Sequence, residues 1–301
     1  MKRILDNPIF IDEAKARKHL EKVRWPDGPV CPHCGVVSMG HYKLPKTDKV
    51  RDGLYKCKDC RKQFSVTVGT LFERSHVPLN KWLLAVHLLC ASKKGHASHQ
   101  LHRMLGVTYK TAWFMSHRIR EAMSDPYFVK QLGGTGKTVE ADETFWGNKK
   151  EGRGKRGAAS HMMKVFSLVE RGGKVRSFHV PSVGAKTLRP IITEQVAKDT
   201  QVMTDESMAY SRLRDEFPHG SVKHRHKEYV RGPIHVNTLE NYFSILKRGL
   251  TGVYQHVGEG HLRRYIGEFD FRYNHREITD EERFLVALQG ISGKRLLYTR
   301  L

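Results

Sequence analysis

The chain has 301 residues, enough for about two domains. It carries 53 Lys and Arg side chains against 31 Asp and Glu, a formal net charge of +22, and 39% of its residues are hydrophobic. The positive charge favours a polyanionic partner, because each neutralised phosphate releases condensed counterions. The hydrophobic content excludes a disordered chain. No run approaches the roughly 18 apolar residues of a membrane span, and Asp6 precedes any hydrophobic run. We therefore expect neither a membrane protein nor a signal peptide.

Residues 6–24 have the spacing of a short amphipathic helix. Two C-x-x-C pairs follow, Cys31 with Cys34 and Cys57 with Cys60, separated by 22 residues. Four soft thiolates at this spacing favour a closed, structural Zn²⁺ site of the zinc-ribbon type, with short strands near 55–56 and 63–68. The alternative is two unrelated pairs of reduced thiols. Because paired thiols in a chain without a signal peptide indicate a reducing compartment, we expect a cytoplasmic protein.

Helical periodicity continues over residues 79–93 and 98–123, and Cys90 in the first segment is predicted to be a core residue. In the second segment Gly106 and Val107 separate two helical stretches, which is the order of a helix-turn-helix DNA-binding motif. The alternative is an ordinary helical hairpin. Four side chains of its second helix are predicted to contact phosphates or base edges of DNA: Lys110, His117, Arg118 and Arg120.

A glycine-rich break at 133–136 precedes a different pattern. Strands are predicted at 138–145, 163–170, 175–180 and 201–204. Helices are predicted at 187–197, 237–248 and 261–273. This order predicts an α/β domain. The basic, glycine-spaced residues 149–157 favour either a loop that follows a DNA backbone or a solvated loop.

Three carboxylate residues in this second half lie in or directly after predicted strands and a helix. Asp142 lies in the first strand, Asp205 directly follows the strand at 201–204, and Glu240 lies early in the helix at 237–248. Two metal ions a few ångströms apart can bind both the attacking and the leaving oxygen of a phosphoryl transfer. Mg²⁺ prefers oxygen ligands, and three neighbouring carboxylates need a cation to offset their repulsion. The pattern therefore predicts a two-ion Mg²⁺ site.

The helix that carries Glu240 has two separate faces at about 100° per residue. Its polar stripe comprises Asn237, Glu240, Ser244 and Lys247, whereas its apolar stripe comprises Leu239, Phe243, Leu246 and Leu250. The polar stripe can therefore face a site, where Lys247 would hold a scissile phosphate as a point charge. The structural alternatives are a capping box formed by Asn237 and Glu240, a helix cap at Asp205 and a solvated strand residue at Asp142.

These residues resemble a known family. The ribbon from Cys31 to Cys60, the V-E-A-D-E-T segment around Asp142 and the V-M-T-D segment ending at Asp205 are similar to DDE transposases. Two further regions are also similar to DDE transposases. One is H-V-N-T-L-E at 235–240 with Lys247, and the other is R-Y at 264–265 with E-F-D-F-R-Y-N at 268–274. The closest resemblance is to the bacterial insertion sequence 1595 family, and it covers about residues 10–290.

The resemblance implies a multidomain protein. Its expected parts are an N-terminal helix and zinc ribbon at 1–75, a helix-turn-helix region at 76–132, an RNase H-like (integrase-type) α/β catalytic domain at 133–290 and a tail at 291–301. It further implies Mg²⁺-dependent cleavage at the ends of a mobile element and strand transfer into target DNA. The expected partners are double-stranded DNA, as terminal inverted repeats and target, and further copies of the chain in a dimer or larger assembly. The expected location is the nucleoid of a bacterial cytoplasm.

By motif position, Asp142, Asp205 and Glu240 would be the metal-binding carboxylates. Some relatives are described with asparagine as the third residue, and Asn237 lies on the same helix face as Glu240. We favour Glu240, because a carboxylate binds a hard cation more strongly than an amide does. Two other classes of protein remain. One is a non-catalytic DNA-binding regulator built from the ribbon and the helix-turn-helix, and the other is a structure-specific nuclease that cuts without joining.

Overall fold

A computed structural model describes residues 6–37, 40–124, 130–147 and 162–297. The chain forms two compact units, one from residues 1–123 and 277–301 and one from residues 124–276. The basic segment 149–157 lies outside the described residues. In the part of the chain that is described, no helix is both long and apolar enough to cross a membrane.

The helices are α1 Glu13–Arg24, α2 Leu79–Ala91, α3 Ser98–Leu105, α4 Tyr109–Met123, α5 Ala185–Gln195, α6 Asn237–Gly249, α7 Glu259–Asn274 and α8 Asp280–Gln289. The strands are β1 His41–Lys43, β2 Tyr55–Cys57, β3 Gln63–Phe64, β4 Thr138–Trp146, β5 Met163–Glu170, β6 Val175–Val180, β7 Gln201–Thr204 and β8 His219–Ser221. The helix predicted at 6–24 begins only at Glu13, after a short 3-10 helix at Pro8–Phe10. The other predicted helices and strands are present with shifts of a few residues at their ends. The predicted strand at 63–68 is wrong beyond Phe64, where turns follow.

The N-terminal ribbon is a three-stranded antiparallel sheet in the order β1-β2-β3. Its two cysteine pairs lie in similar turns, because the residue after each pair has a positive φ: Gly35 at 74° and Arg61 at 58°. Trp25, at the end of α1, meets the rings of Tyr55 and Phe64 edge-on at 5.5 and 5.8 Å. A small aromatic core therefore joins helix α1 to the ribbon.

Helices α3 and α4 form a hairpin around Gly106, which has a left-handed conformation at φ 60°. The side chain of Thr108 accepts a hydrogen bond from the Thr111 amide at 3.2 Å, so a threonine directly before α4 stabilises its first turn. Leu101 and Leu105 of α3 and Ala112 of α4 are buried. The predicted order of helix, glycine turn and helix is present.

Helix α8 completes the first unit by packing on α1, α2 and α4. Thr279 and Glu282 form a capping box at its start. Its Phe284 contacts the rings of Phe10, His19 and His87 at 5.9, 6.0 and 5.7 Å. The compact units thus separate α8 from the predicted catalytic segment 133–290, because its apolar face is buried against the N-terminal helices.

The second unit contains a five-stranded sheet in the order β6-β5-β4-β7-β8. Strands β4, β5 and β6 are antiparallel, whereas β7 and β8 run parallel to β4. One face packs with α5 in a core that includes Ala141 and Ile192. The other face packs with α6 and α7 around Val165 and Val169. Alternate residues of β4 therefore point toward different helices.

Helix α7 covers the backbone of the edge strand β6. Its Asn274 side chain accepts a hydrogen bond from the Val175 amide at 2.7 Å and donates one to the Val175 carbonyl at 3.0 Å. One turn earlier, Asp270 accepts from the amide and the hydroxyl of Ser177 at 2.8 and 2.7 Å. These two side chains thus occupy hydrogen-bonding positions that a further strand would use.

The histidines that contact Phe284 make the first unit sensitive to acid. Burial lowers the pKa of both His19 and His87; the charge of Lys22 also lowers the pKa of His19, whereas Asp280 and Glu281 oppose the shift at His87. A lowered pKa in the folded state means that stability is complete above about pH 6.5 and is lost as the pH falls below it. We expect His87→Phe to reduce the loss of melting temperature between pH 7.5 and 5.5, measured by calorimetry. An equal loss in the wild type and the variant would contradict this assignment.

Candidate active site

Two neighbouring parallel strands bring Asp142 and Asp205 together. Glu140 of β4 lies opposite Met203 of β7, and the register continued by two residues places Asp142 beside Asp205. The Asp205 carboxylate accepts a hydrogen bond from the Ser207 amide at 2.9 Å, which turns the chain away from the sheet. The helix-cap alternative for Asp205 is wrong, because the short helix that follows is capped by Ser207. The contact of Asp205 with the Ser207 amide is a turn, and it fixes one oxygen of the carboxylate at the strand end.

Helix α6 supplies the other predicted residues. Asn237 is its first residue, and Glu240 lies one turn later with its side chain 48% exposed. Lys247 follows two turns beyond Glu240 and is exposed. The apolar stripe of the helix is buried as predicted, with Leu239, Phe243, Leu246 and Leu250 in the core.

The electrostatics of Asp142 show which acidic groups lie near it. Burial raises the pKa of Asp142 to about 8, and the charges of Glu143, Asp205 and Glu240 act in the same direction. Burial also raises the pKa of Asp205, with the charge of Glu206 acting the same way. The three predicted carboxylates therefore share one electrostatic environment, in which a bound cation would lower their repulsion.

These three carboxylates are not packed as tightly as the ligands of a single ion. Two sets of three or more potential metal ligands among the described residues have all their ligand atoms within 4.8 Å of one another. These are the four cysteines, and His41 with Cys57 and Asp59. A wider arrangement of Asp142, Asp205 and Glu240 is compatible with ligands divided between two ions about 4 Å apart.

A fourth acidic residue, Glu140, joins the strand of Asp142 to the helix of Glu240. Its side chain is completely buried on the same face of β4 as Asp142. The carboxylate accepts hydrogen bonds from the amides of Thr238 and Leu239 at 2.9 and 3.1 Å, and from the Thr238 hydroxyl at 2.9 Å. Glu140 thus caps α6 from a neighbouring strand and satisfies two of its unpaired N-terminal amides.

Arg171, after β5, compensates the buried charge of Glu140. Its Nε donates to the Glu140 carboxylate at 2.6 Å, and its two terminal nitrogens donate to the carbonyls of Pro233 and His235 at 2.7 and 2.8 Å. The His235 ring also lies 3.3 Å from the same carboxylate. One arginine therefore holds both the acid and the segment that leads into α6.

This arrangement decides against a capping box formed by Asn237 and Glu240. The residue before the helix is Val236, which makes no side-chain cap. Asn237 is already the first helical residue, and the Glu240 amide, with which its side chain would pair in a capping box, donates to the Val236 carbonyl at 3.1 Å. Because Glu140 accepts from the amides of Thr238 and Leu239, the helix start is capped without Asn237 or Glu240. The sequence contained one signal for Glu140, an acidic residue two positions before Asp142 and so on the same strand face.

Sequence reasoning also missed Glu143 and Tyr210. The Tyr210 hydroxyl donates to the Glu143 carboxylate, and the tyrosine is buried in the core beneath α5. Burial raises the pKa of Glu143, and the nearby charge of Asp205 raises it as well. Glu143 therefore approaches Asp205 from the opposite face of β4.

The four predicted zinc ligands come together in the ribbon. The sulfur atoms of Cys31 and Cys60 lie 3.6 Å apart, those of Cys34 and Cys57 lie 3.7 Å apart, and all four are within 4.8 Å of one another. A tetrahedral Zn²⁺ with bonds of about 2.3 Å to each thiolate requires sulfur atoms at nearly this separation. The donor set therefore fits a structural zinc ion, and Cys90 is buried in α2 as predicted.

The predicted DNA-contacting residues do not share one surface. Lys110 is exposed at the start of α4, whereas His117, Arg118 and Arg120 are buried. Arg118 donates to the Glu73 carbonyl at 3.1 Å and lies over the rings of Trp82 and Phe114. The DNA contacts expected of these three buried side chains do not fit the structure, because their positions on α4 face the core of the unit.

Comparison with known proteins agrees with the two-unit organisation. Residues 11–63 match the transposase zinc-ribbon domain, and residues 131–274 match the ISXO2-like transposase domain. An uncharacterized protein in transposable element ISH50 of Halobacterium salinarum is 31% identical over 283 residues, covering 87% of this chain and 91% of that protein. An uncharacterized transposase-like protein of Haemophilus influenzae is 31% identical over 116 residues, covering 38% of this chain and 93% of that protein.

A cysteine-rich ribbon followed by a mixed sheet with acidic side chains, both matched by transposase domains, defines the class as transposases of the DDE type. Within that class, the chain belongs to the insertion sequence 1595 (IS1595) family.

The hydrogen bonds between Glu140 and the start of α6 predict that removal of this carboxylate has a local effect on the helix. Glu140→Ala leaves the amides of Thr238 and Leu239 without a partner and Arg171 without its counterion, a loss of about 3 kcal/mol, at the lower end for a broken buried pair because Arg171 is partly exposed. We expect hydrogen exchange at these two amides to accelerate by about tenfold or more. Lys137→Met is the matched control: it breaks the exposed ion pair with Glu170 and should change stability by less than about 1 kcal/mol. An unchanged rate of hydrogen exchange at these two amides in Glu140→Ala would show that Glu140 does not cap α6.

The four cysteines of the ribbon predict that each chain binds one metal ion. We expect one Zn²⁺ per chain by elemental analysis, with loss of the ion in Cys34→Ser because a structural site needs all four ligands. Cys90→Ala removes a thiol outside the cluster and should retain the ion. Retention of zinc by Cys34→Ser, or its loss from Cys90→Ala, would be incompatible with the assigned ligands.

Proposed function

We propose that this protein cleaves DNA at the ends of an insertion sequence and joins the freed strand to target DNA. The observation that carries the proposal is the grouping of Asp142, Asp205 and Glu240 in the unit that matches a transposase domain. We infer an RNase H-like fold for this unit, supported by three antiparallel strands followed by two strands parallel to the first.

The carboxylate oxygens of Asp142, Asp205 and Glu240 would hold two Mg²⁺ ions, because this donor set matches the preference of a hard cation. When bound, such ions polarise a phosphodiester and activate the attacking oxygen. The chain's own contribution is position: β4 and β7 fix two carboxylates side by side, and the Glu140 contact fixes the helix that presents the third.

Lys247 has a role that requires no metal. On α6 it lies seven residues after Glu240 and so on the same side of the helix, with its ammonium group available to a phosphate. A fixed cation there would offset the charge that develops on a phosphate during cleavage. Asn237, at the start of the same stripe, would donate or accept hydrogen bonds at the substrate.

DNA recognition is assigned to the first unit. The ribbon, stabilised by Zn²⁺, and the α3–α4 helix-turn-helix would bind the terminal repeats, with Lys110 the one predicted contact on the exposed start of α4. Because a transposase must hold two element ends together, we expect a dimer or larger assembly on DNA. A regulator without catalytic activity would have no use for a cluster of partly exposed carboxylates that repel one another.

The central prediction concerns strand cleavage of DNA taken from the flanks of the gene. Asp142→Ala or Asp205→Ala should lower Mg²⁺-dependent cleavage about a thousandfold or more, because each removes a ligand of the reacting metal. Binding to the same DNA should stay close to that of the wild type. Asp199→Asn, at the opposite end of β7, should retain cleavage. Gel electrophoresis of end-labelled DNA measures both new 3′ ends and joined products.

The same assay separates the outcomes. Full cleavage by Asp142→Ala would remove this residue from the site, and cleavage without joined products would identify a nuclease instead of a transposase. Specific DNA binding without any cleavage by the wild type would favour the regulator. Glu240→Gln and Asn237→Ala test the third ligand, and we expect the larger loss from Glu240→Gln.

A further inference from the structure

A basic turn at residues 223–231 lies beside the carboxylates but has no part in the function described so far. It contains Lys223, Arg225, Lys227 and Arg231 against one acidic residue, Glu228, and also carries two histidines and Tyr229. The turn follows β8, the parallel neighbour of β7. Since parallel strands end at the same edge of a sheet, the turn leaves the edge where Asp205 stands.

The turn is held mainly by hydrogen bonds from its backbone amides, so most of its side chains remain exposed. Glu206, the residue after Asp205, accepts hydrogen bonds from the amides of His224 and Arg225 at 2.6 and 3.0 Å. Arg231 donates to the Ser221 carbonyl at 2.8 Å and thereby closes the far end of the turn. The attachment to Glu206 couples the position of the turn directly to that of Asp205.

Two contacts fix its distance from the helix of the third carboxylate. His224 Nε2 lies 3.9 Å from the Glu240 carboxylate, and the His224 ring meets the Tyr229 ring with centroids 5.4 Å apart. Tyr229 is therefore two side-chain contacts away from Glu240. A nucleotide next to a phosphate bound at the carboxylates would reach this ring.

The exposed groups of the turn are those that bind a nucleic acid strand. Arg225 is 89% exposed, with a single long ion pair to Glu206 at 3.7 Å. Tyr229 is 54% exposed although it is a large aromatic residue, and His226 and Lys227 are exposed beside it. Aromatic rings interleaved with cations bind single strands through base stacking and phosphate contacts.

We propose that the 223–231 turn binds the DNA strand next to the scissile phosphate, with Tyr229 stacking on an unpaired base and Arg225 contacting the backbone. This inference rests on the proposed function, because it takes the carboxylates as the position of that phosphate. The turn would also favour binding at the site, because the carboxylates of Asp142, Asp205 and Glu240 repel a polyanion and the cations of the turn offset that repulsion.

The test uses photo-crosslinking with the full-length zinc-loaded chain. A single-stranded oligonucleotide that carries 5-iodo-2′-deoxyuridine is irradiated with the protein in the presence of Ca²⁺. The products are digested with trypsin and mapped by mass spectrometry. Cleavage after Lys227 and Arg231 gives the peptide of residues 228–231, in which Tyr229 is the only aromatic residue. The proposal predicts an oligonucleotide crosslink on this peptide, lost in Tyr229→Leu and kept in Tyr229→Phe.

Binding measurements test the energy of the contact. Tyr229→Leu should weaken the affinity for the oligonucleotide about tenfold, as expected from the loss of one stacked base, and Tyr229→Phe should restore it. Arg225→Ala should reduce the slope of log affinity against log salt by about 0.7, which corresponds to one phosphate contact. Lys198→Ala, a matched cation before β7 at the opposite end of the sheet, should leave the crosslink on residues 228–231 unchanged.

Absence of a crosslink on residues 228–231, or equal binding by Tyr229→Leu and the wild type, would overturn the proposal even if the wild type cleaves DNA normally. A Tyr229-dependent crosslink in a protein that never cleaves would retain the strand-binding turn and reject the proposed catalytic function. The two inferences can therefore fail separately.

Discussion

The buried contact between Glu140 and the start of α6 is the interaction on which the geometry of the second unit depends. Asp142 belongs to a strand and Glu240 to a helix, and these elements are about a hundred residues apart in the sequence. Apolar packing of the helix against β5 alone would leave it free to slide or rotate by fractions of a turn. Directional hydrogen bonds from two backbone amides to one carboxylate remove that freedom. Arg171 makes the buried charge tolerable, since it neutralises Glu140 and also holds the loop before the helix.

A second polar network works behind the same helix. Tyr242 of α6 donates to Asp270 of α7, which in turn accepts from Ser177 of β6. Helix α6 is thus tied to the sheet at its start through Glu140 and along its buried side through Asp270. The E-F-D-F-R-Y-N segment supplies Asp270, Asn274 and the buried Glu268–Arg272 pair, so its polar residues are structural.

Much of this arrangement could be predicted from sequence because local signals were strong. The cysteine spacing predicted the ribbon, and the change of residue pattern after the glycine-rich break predicted the strands β4, β5 and β6. The two stripes on α6 indicated which face carries Glu240. The failures have physical causes. Strand β8 contains only His219, Gly220 and Ser221, with no apolar alternation, and a side chain at Gly220 would meet the Met203 sulfur at 2.9 Å.

Long-range packing explains the other failures. The burial of His117, Arg118 and Arg120 depends on how α4 packs within its unit, which the composition of one helix does not reveal, and α8 joins a unit far from it in sequence. The role of Glu140 likewise depends on a partner helix whose position no local pattern encodes. The carboxylate trio and its two metal ions remain predictions.

The return of α8 to the N-terminal unit affects the order in which the protein can fold during translation. Phe284, which packs against Phe10 and His87, is made only after the whole second unit has been synthesised. At ordinary synthesis rates the nascent N-terminal unit therefore waits roughly ten to thirty seconds for its last helix. A message truncated within the second unit would yield a product that lacks part of the N-terminal core, and thus no intact N-terminal unit.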